Sequence, residues 1–128
     1  TLYFSDSRAA TIWASDWNAA TGEIFARRVF STVTEAQGRP DGAAMDSDGH
    51  YWSAGVSAGR LNRFAPDGRL VETIGLPVRA PTMPAFGPDG TLFVTSHRRI
   101  PVPTDDDGCI VLLPTKQRGV KQPRFAMT

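Results

Sequence analysis

Short apolar segments alternate with Asp-Gly turns along the chain. After three of these Asp-Gly pairs the chain continues with one polar residue and then two apolar residues, which is typical of a tight turn that leads into a strand. The three instances are His50-Tyr51-Trp52, Arg69-Leu70-Val71 and Thr91-Leu92-Phe93. No window places apolar residues at i, i+3, i+4 and i+7 over enough length to predict a helix. The pattern therefore predicts an all-β chain.

The predicted strands repeat along the chain. Residues 1–7 resemble residues 91–97 almost position by position, and residues 50–54 fit between them at steps of 49 and 41. Each of these strands is followed by a second one, and the first two units also have a third. The second strands are predicted within 11–14, 59–64 and 108–113, and the third strands within 23–26 and 69–74. A period of about 40–50 residues with several short strands is typical of a β-propeller blade.

Three units are too few for a closed ring, because propellers typically have about four to eight blades. We therefore expect a fragment, whose exposed blade faces and strand edges favour association with a missing N-terminal half or with another copy. If Asp41 begins the innermost strand of the second unit, its counterpart in the third unit is Thr82, followed by Met83. Innermost strands face the central channel, so Asp41 and Thr82 or Met83 are expected to share one cavity.

Composition excludes several classes of function. The net charge is only +1, and the basic residues are scattered, so no nucleic-acid surface is indicated. No apolar run approaches the roughly 20 residues of a membrane span, and no signal peptide is evident, so we expect a cytoplasmic protein without a membrane partner. Cys109 is expected to be a buried strand residue. The run that starts at Asp105 is no EF-hand loop, because Lys116 stands where the twelfth-position glutamate is required.

Asp41 differs from the other aspartates that follow a proline and precede a glycine. The copies at Pro66 and Pro88 lead into the turn-then-strand pattern, whereas Asp41-Gly42 leads into two alanines, which fit a strand where backbones approach closely. Pro40 holds its φ at about −65°, and Gly42 adds no side chain, so the carboxylate has a stiff base and an open approach. These features suit a metal ligand or a general base. A turn-filling Asp-Gly remains the alternative on residue type alone.

The chain resembles the gluconolactonase / regucalcin (senescence marker protein) / luciferin-regenerating enzyme family over essentially its whole length. The segments that carry the resemblance are Leu2-Tyr3-Phe4-Ser5-Asp6-Ser7, Arg39-Pro40-Asp41-Gly42-Ala43-Ala44-Met45-Asp46, Gly49-His50-Tyr51-Trp52-Ser53-Ala54, Gly59-Arg60-Leu61-Asn62-Arg63-Phe64, Leu76-Pro77-Val78, Thr82, Phe86-Gly87, Gly119-Val120 and Pro123-Arg124-Phe125. The resemblance implies a six-bladed β-propeller, of which this chain supplies about three blades. Residues 1–128 would form the C-terminal half of that single domain.

The resemblance also implies a metal-dependent hydrolase of sugar lactones. Family members look like enzymes that hold one divalent ion (calcium, zinc, magnesium or manganese) with a glutamate, an asparagine and the aspartate of the Pro-Asp-Gly block. Only that aspartate has a position here, Asp41, which would be both metal ligand and catalytic base. We expect Thr82, Met83 and His97 to line the substrate pocket. The alternatives are that Thr82 and Met83 simply fill the channel and that His97 lies in a surface loop. The tryptophans, Trp13, Trp17 and Trp52, are interpreted as packing between blades.

Two other functions stay open at this point. One is a non-enzymatic propeller module that binds calcium or a protein partner, and the other is hydrolysis of other esters such as organophosphates. Because only one of the three implied metal ligands is present, the 128-residue chain alone is expected to be inactive. The observation that would distinguish the lactonase from the binding module is whether upstream sequence supplies the glutamate and the asparagine.

Overall fold

The computed structural model describes residues 1–98 and 100–121. This part of the chain contains ten β-strands and no helix. The strands are β1 (Leu2–Asp6), β2 (Thr11–Trp17), β3 (Ile24–Thr32), β4 (Pro40–Met45), β5 (Tyr51–Gly55), β6 (Arg60–Phe64), β7 (Leu70–Gly75), β8 (Pro81–Phe86), β9 (Thr91–Ser96) and β10 (Ile110–Pro114). The prediction of an all-β chain is confirmed. Over the described ranges there is also no helix long and apolar enough to cross a membrane.

The strands form three antiparallel sheets, each from consecutive strands. Sheet 1 has the order β1-β2-β3, sheet 2 the order β4-β5-β6-β7, and sheet 3 the order β8-β9-β10. The internal repeat appears in the registers, because Ser5, Ala54 and Thr95 pair with Ile12, Leu61 and Ile110, respectively. Strands β1, β5 and β9 are therefore equivalent. Within the described residues, sheet 1 lacks a counterpart of β4 and β8, and sheet 3 lacks a counterpart of β3 and β7.

Two apolar clusters hold the sheets together. Between sheets 1 and 2, Ile12, Tyr51 and Phe64 form a buried cluster against which Tyr3 and Phe30 pack. The ring of Phe30 meets the rings of Tyr3 and Tyr51 edge-on, at centroid distances of 5.0 and 5.7 Å. Edge-to-face pairs of this kind add about 0.5–1.5 kcal/mol to the burial of the rings. Sheet 1 is thus fixed to sheet 2 mainly by aromatic packing.

The second cluster joins sheets 2 and 3 through Trp52, Leu61, Leu92 and Val94. Trp52 is 1% exposed, and Phe86 packs edge-on against its ring at 5.8 Å. The interpretation of Trp52 as packing between blades is therefore confirmed.

The other two tryptophans behave differently. Trp17 is 53% exposed at the end of β2, so the packing interpretation is wrong for this residue. Trp13 is half-buried, and the Arg27 guanidinium lies 4.8 Å from its ring centroid. The Arg27 guanidinium thus covers one face of the Trp13 ring.

The Asp-Gly turns form as the sequence indicates. Gly49, Gly68 and Gly90 have φ values of 83°, 84° and 89°, a region open mainly to glycine. In two of these turns the preceding aspartate accepts a hydrogen bond from a backbone N–H two residues later. Asp67 accepts it from Arg69 and Asp89 from Thr91, each at 3.0 Å. The bonds from Thr91 lower the pKa of Asp89.

The loop before β10 corrects one expectation. Cys109 is exposed, not buried, because β10 begins only at Ile110 and Cys109 belongs to the preceding turn, where its N–H bonds to the Asp106 carbonyl. The buried residue of this loop is Asp107, which accepts hydrogen bonds from the backbone N–H groups of Arg79 and Thr104, both at 2.7 Å. These bonds lower the pKa of Asp107. The acidic run thus anchors a loop.

Candidate functional site

Asp41 lies in a β-bulge at the start of β4. Pro40 pairs with Gly55 and Ala43 with Ser53, so the β4 segment holds one residue more than its partner strand. Bulges redirect side chains and are common next to functional sites. Pro40 is buried, whereas Asp41 is exposed and lines a concave surface. Asp41 is thus part of a strand and not of a tight turn, which separates it from Asp67 and Asp89.

The concave surface is formed where the three sheets converge. It has a volume of about 430 Å³ and is lined from sheet 1 by β1, from sheet 2 by β4 and Tyr51, and from sheet 3 by Met83. The structure therefore brings Asp41 and Met83 together, as the 41-residue step indicates. Thr82 does not line this surface. Its hydroxyl lies 2.7 Å from that of Thr95. His97 does not line it either; its backbone N–H bonds to the Ala80 carbonyl.

Gly42 keeps the bulge close to sheet 3. A Cβ atom at this position would lie 2.6 Å from the Thr82 carbonyl oxygen and 3.0 Å from the Met83 Cα. Both neighbours are backbone atoms of β8, so they cannot move aside as a side chain could. The glycine therefore permits the close approach of β4 and β8 that places Asp41 beside Met83.

Gly42→Ala is expected to lower the free energy of unfolding by about 1–3 kcal/mol, because the added methyl group overpacks the contact between β4 and β8. Urea denaturation of the two proteins measures the difference. Gly75→Ala is the matched control, since a Cβ there has no neighbour within 4 Å and Gly75, like Gly42, belongs to a strand. A Gly42→Ala protein with the urea midpoint of the wild type would show that β8 does not confine this position.

The Asp41 carboxylate makes no hydrogen bond or ion pair with any other residue in the described ranges. This distinguishes it from Asp46 and Asp107, whose oxygens are fully engaged. A carboxylate without a protein partner on a concave surface is available to a cation, a water molecule or a substrate hydroxyl.

Two hydroxyl groups from different sheets meet beside the same concave surface. The Ser5 Oγ lies 3.5 Å from the Tyr51 phenol oxygen, and both residues line the surface. Burial raises the pKa of Tyr51, although the contact with Ser5 opposes the shift. The phenol therefore keeps its proton near neutral pH and can donate a hydrogen bond.

The described residues do not form a metal site by themselves. They contain no group of three or more histidine, cysteine, aspartate or glutamate side chains placed to share an ion. Calcium takes about six to eight oxygen ligands, and magnesium six. Asp41 fits as one hard oxygen ligand. Further carboxylate ligands of a tightly bound cation would have to come from outside residues 1–98 and 100–121.

Asp46, at the opposite end of β4 from Asp41, is a buried charge that the sequence did not reveal. Its side chain is 0% exposed and accepts hydrogen bonds from the Trp52 indole at 2.9 Å and from Arg63 at 3.0 and 3.2 Å. The backbone N–H groups of Asp48 and His50 also donate to it, at 3.0 and 2.9 Å. Burial alone would raise the pKa of Asp46, but these bonds outweigh it and the net pKa is lowered.

The Asp46 network joins the end of β4 to β5, to β6 and to the C-terminal segment. The His50 Nδ1 lies 3.3 Å from Asp46 and 3.1 Å from an Arg63 nitrogen. The C-terminal segment also reaches this point, since Gly119 bridges to Asp46 and the Val120 N–H donates to the Met45 carbonyl. The only sequence signal was an aspartate six residues before a tryptophan, and the third unit has Gly87 at the equivalent position. The network therefore supports the inner strand.

The chain is similar in sequence to a known protein family and to individual members of it. Residues 1–98 match the family described as SMP-30/Gluconolactonase/LRE-like region. The chain is 45% identical over 96 residues to a 6-deoxy-6-sulfogluconolactonase of Pseudomonas putida, covering 70% of this chain and 33% of the relative. It is 33% identical over 135 residues to an L-arabinolactonase of Azospirillum brasilense, covering 99% of this chain and 44% of the relative.

A solved structure shares the fold. The regucalcin of Agrobacterium tumefaciens, described as a calcium-binding protein, superimposes with a TM-score of 0.84 at 30% identity. The alignment covers 98% of this chain and 45% of that structure. The chain thus spans less than half the length of each of these three proteins.

Proposed function

This chain belongs to the SMP-30/gluconolactonase/LRE-like family, as the sequence resemblance indicated, and on that premise we propose that it forms part of an enzyme that hydrolyses sugar lactones. Two of its relatives are named lactonases of sugar-derived substrates. The observation that carries the proposal is the Asp41 carboxylate, which the bulge in β4 presents on a concave surface without a partner among residues 1–98 and 100–121.

The proposed reaction is the opening of a cyclic ester by water. The water oxygen bonds to the lactone carbonyl carbon while Asp41 takes one of the water protons as general base. The bond between the carbonyl carbon and the ring oxygen then breaks, and the ring oxygen leaves with a proton as a hydroxyl group. The product is the open-chain sugar acid. Met83 is proposed to contact the sugar from sheet 3, and the Tyr51 phenol to donate a hydrogen bond to it.

The proposal includes one divalent cation, either calcium, zinc, magnesium or manganese, with Asp41 as one of its ligands. Such an ion, when bound, polarises an ester carbonyl and stabilises the negative charge that develops on it. The described residues supply one carboxylate, so the remaining ligands are assigned to sequence outside them. Thr82 and His97 stay predictions as substrate-lining residues.

The test of the proposed function is acid release from gluconolactone and arabinonolactone by the complete protein that contains this chain. We expect release well above the spontaneous rate, loss of the activity with a chelator, and recovery on addition of a divalent metal. An enzyme that keeps its full rate after exhaustive metal removal would contradict the metal part. A protein that opens neither lactone would contradict the proposed function itself.

The 128-residue chain alone is expected to bind calcium or zinc more weakly than micromolar and to open gluconolactone no faster than the spontaneous rate. A single carboxylate cannot compete well with water for a divalent ion. Calorimetric titration and the acid-release assay measure both quantities, with the complete Azospirillum arabinolactonase tested on its own lactone as the positive control of the assay. Micromolar affinity together with turnover would show that these 128 residues already hold a complete site.

A second candidate is calcium binding without catalysis, favoured by the similarity to a regucalcin described as a calcium-binding protein. Calcium bound by the complete protein, together with no hydrolysis of any sugar lactone, would support this candidate over the lactonase.

A further inference from the structure

Arg39 stands two residues before Asp41, and the two side chains are exposed on either side of the buried Pro40. A residue that precedes proline is confined to extended conformations, in which side chains alternate between the two sides of the chain. The order of exposed, buried and exposed residues therefore places Arg39 and Asp41 on the same side. Two extended residues span at most about 7 Å, so the bases of the two side chains lie close together.

The backbone of Arg39 is held in place from both sides. Its N–H donates to the Ser57 hydroxyl at 2.9 Å, and its carbonyl accepts a hydrogen bond from the Val56 N–H at 3.0 Å. The preceding Gly38 has a φ of 79°, and a Cβ atom there would lie 2.8 Å from the Gly55 carbonyl oxygen. The loop between β5 and β6 therefore fixes the point from which the Arg39 side chain starts.

The Arg39 guanidinium makes no hydrogen bond or ion pair with any other residue of the described ranges. Asp41 is included in this statement, so the two neighbouring groups of opposite charge do not neutralise each other in an ion pair. A guanidinium and a carboxylate thus stand side by side, and each is available to a ligand.

The third unit lacks both charges at the equivalent positions. β4 and β8 each begin with a proline that pairs with the same place in the next strand. Ala80 and Thr82 are therefore the counterparts of Arg39 and Asp41, and the Ala80 carbonyl accepts the same kind of backbone hydrogen bond as the Arg39 carbonyl. An inner strand of this fold can thus begin without either charge, whereas sheet 2 carries the two together.

The position of Arg39 relative to the concave surface gives its charge a use. Among the described residues that line the surface, Asp41 is the only one with a charged side chain. An anionic ligand bound there would be repelled by this carboxylate and would find no cationic side chain within the lining. The lining of β4 ends at Asp41, and Arg39 comes just beyond it, at the rim.

We propose that Arg39 binds an anionic substituent of the lactone, so that the substrates are sugar lactones that carry a carboxylate, phosphate or sulfonate group away from the ester. This inference rests on the proposed function and names the substrate class of that site. A guanidinium holds such oxyanions through two parallel hydrogen bonds. Its positive charge also offsets the repulsion that Asp41 exerts on an anionic substrate. The ester then lies near Asp41 and the anionic group at the rim.

Hydrolysis of matched lactones by the complete protein tests the proposal. Gluconolactone is the neutral probe, and its analogues with a carboxylate, a phosphate or a sulfonate at carbon 6 are the anionic probes. Arg39→Gln is expected to raise KM for the preferred anionic lactone about 10–100-fold, as the loss of hydrogen bonds to a charged group does, and to leave kcat little changed. Both constants for gluconolactone should stay the same. The analogue with the largest rise identifies the anionic group.

Arg60→Gln is the matched control. Arg60 is exposed, has no side-chain partner in the described part of the chain, and begins β6 at the same end of sheet 2, but Gly55 separates it from Pro40. It should change KM for none of the lactones. Arg39→Lys keeps the charge without the two-pronged geometry and should recover part of the loss. Added salt should raise KM for the anionic lactone in the wild type and have little effect in Arg39→Gln.

The other outcomes overturn the inference. A wild type that opens gluconolactone and none of its anionic analogues contradicts the anionic substrate and leaves the proposed function intact. Equal changes of KM for neutral and anionic lactones, or no change for either, show that Arg39 does not bind the substituent. If no lactone is opened, the proposed function fails, and calorimetry with glucitol 6-phosphate and glucitol decides about Arg39 without hydrolysis. Binding of the phosphate that is lost in Arg39→Gln supports the anion site, and binding that is absent or unchanged contradicts it.

Discussion

Asp46→Asn is expected to lower the free energy of unfolding by about 3–5 kcal/mol, a large part of the roughly 5–15 kcal/mol by which domains are stable. The asparagine has almost the same volume but no charge, so Arg63 loses its buried counter-ion. Its amide N–H groups would also face donors, since the Trp52 indole and the Arg63 guanidinium both donate to one Asp46 oxygen. The substitution therefore leaves buried polar groups without partners.

Urea denaturation of the wild type and the variant measures the loss. Asp48→Asn is the control, because Asp48 lies two residues away and is exposed, and such surface changes usually alter stability by less than about 0.5 kcal/mol. If Asp46→Asn unfolds at the same urea concentration as Asp48→Asn, the hydrogen bonds to Asp46 do not stabilise the sheet.

The same pair of proteins should differ in their response to acid. The folded-state pKa of Asp46 is lowered below its ordinary value of 3.8. A lowered pKa means that the ionised group stabilises the fold above pH 3.8 and that this contribution is lost as the pH falls through the folded-state value. The wild type should therefore lose stability more steeply on acidification below about pH 4 than Asp46→Asn does. Asp89 and Asp107 also have lowered pKa values, but they titrate in both proteins.

The strand order could be predicted from the sequence because its signals are local. In three of the turns a glycine with positive φ follows an aspartate, and the next strand begins one or two residues later, as at Gly49, Gly68 and Gly90. The internal repeat then indicated which residues of different units lie close together in the fold. Asp41 and Met83 line one surface, although 42 positions separate them, because β4 and β8 occupy equivalent places in adjacent units.

The features that escaped prediction depend on contacts between distant residues. Asp46 resembled any turn aspartate until Arg63, 17 residues further on, was seen to bond to it. The exposure of Trp17 and Cys109 was missed because an apolar residue near a strand end does not show whether a neighbouring sheet reaches that far. Sequence periodicity gives equivalent positions but not how far each sheet covers the next.

Asp41→Asn, made in the complete protein, is expected to reduce the turnover of lactone by about 10²–10⁴-fold, the range of a general base. The asparagine keeps the size of the side chain but cannot take a proton from water, and it is a weaker ligand for a divalent ion. Stability should change by less than about 0.5 kcal/mol, since Asp41 is exposed and contacts no other described side chain through a hydrogen bond. The acid-release assay and urea denaturation measure the two quantities.

Asp67→Asn is the matched control for Asp41→Asn, because Asp67 stands in the same Pro-Asp-Gly sequence but forms a turn, where it accepts a hydrogen bond from the Arg69 backbone and lies 3.9 Å from the Arg69 guanidinium. It should keep the wild-type rate of lactone hydrolysis. Calorimetry with calcium should also show weaker binding in Asp41→Asn and no change in Asp67→Asn, which separates loss of the ion from a misfolded strand. Full turnover by Asp41→Asn would contradict a role of Asp41 in the mechanism. An equal loss of turnover in both variants would show that the aspartates of the Pro-Asp-Gly sequences affect turnover only by stabilising the fold.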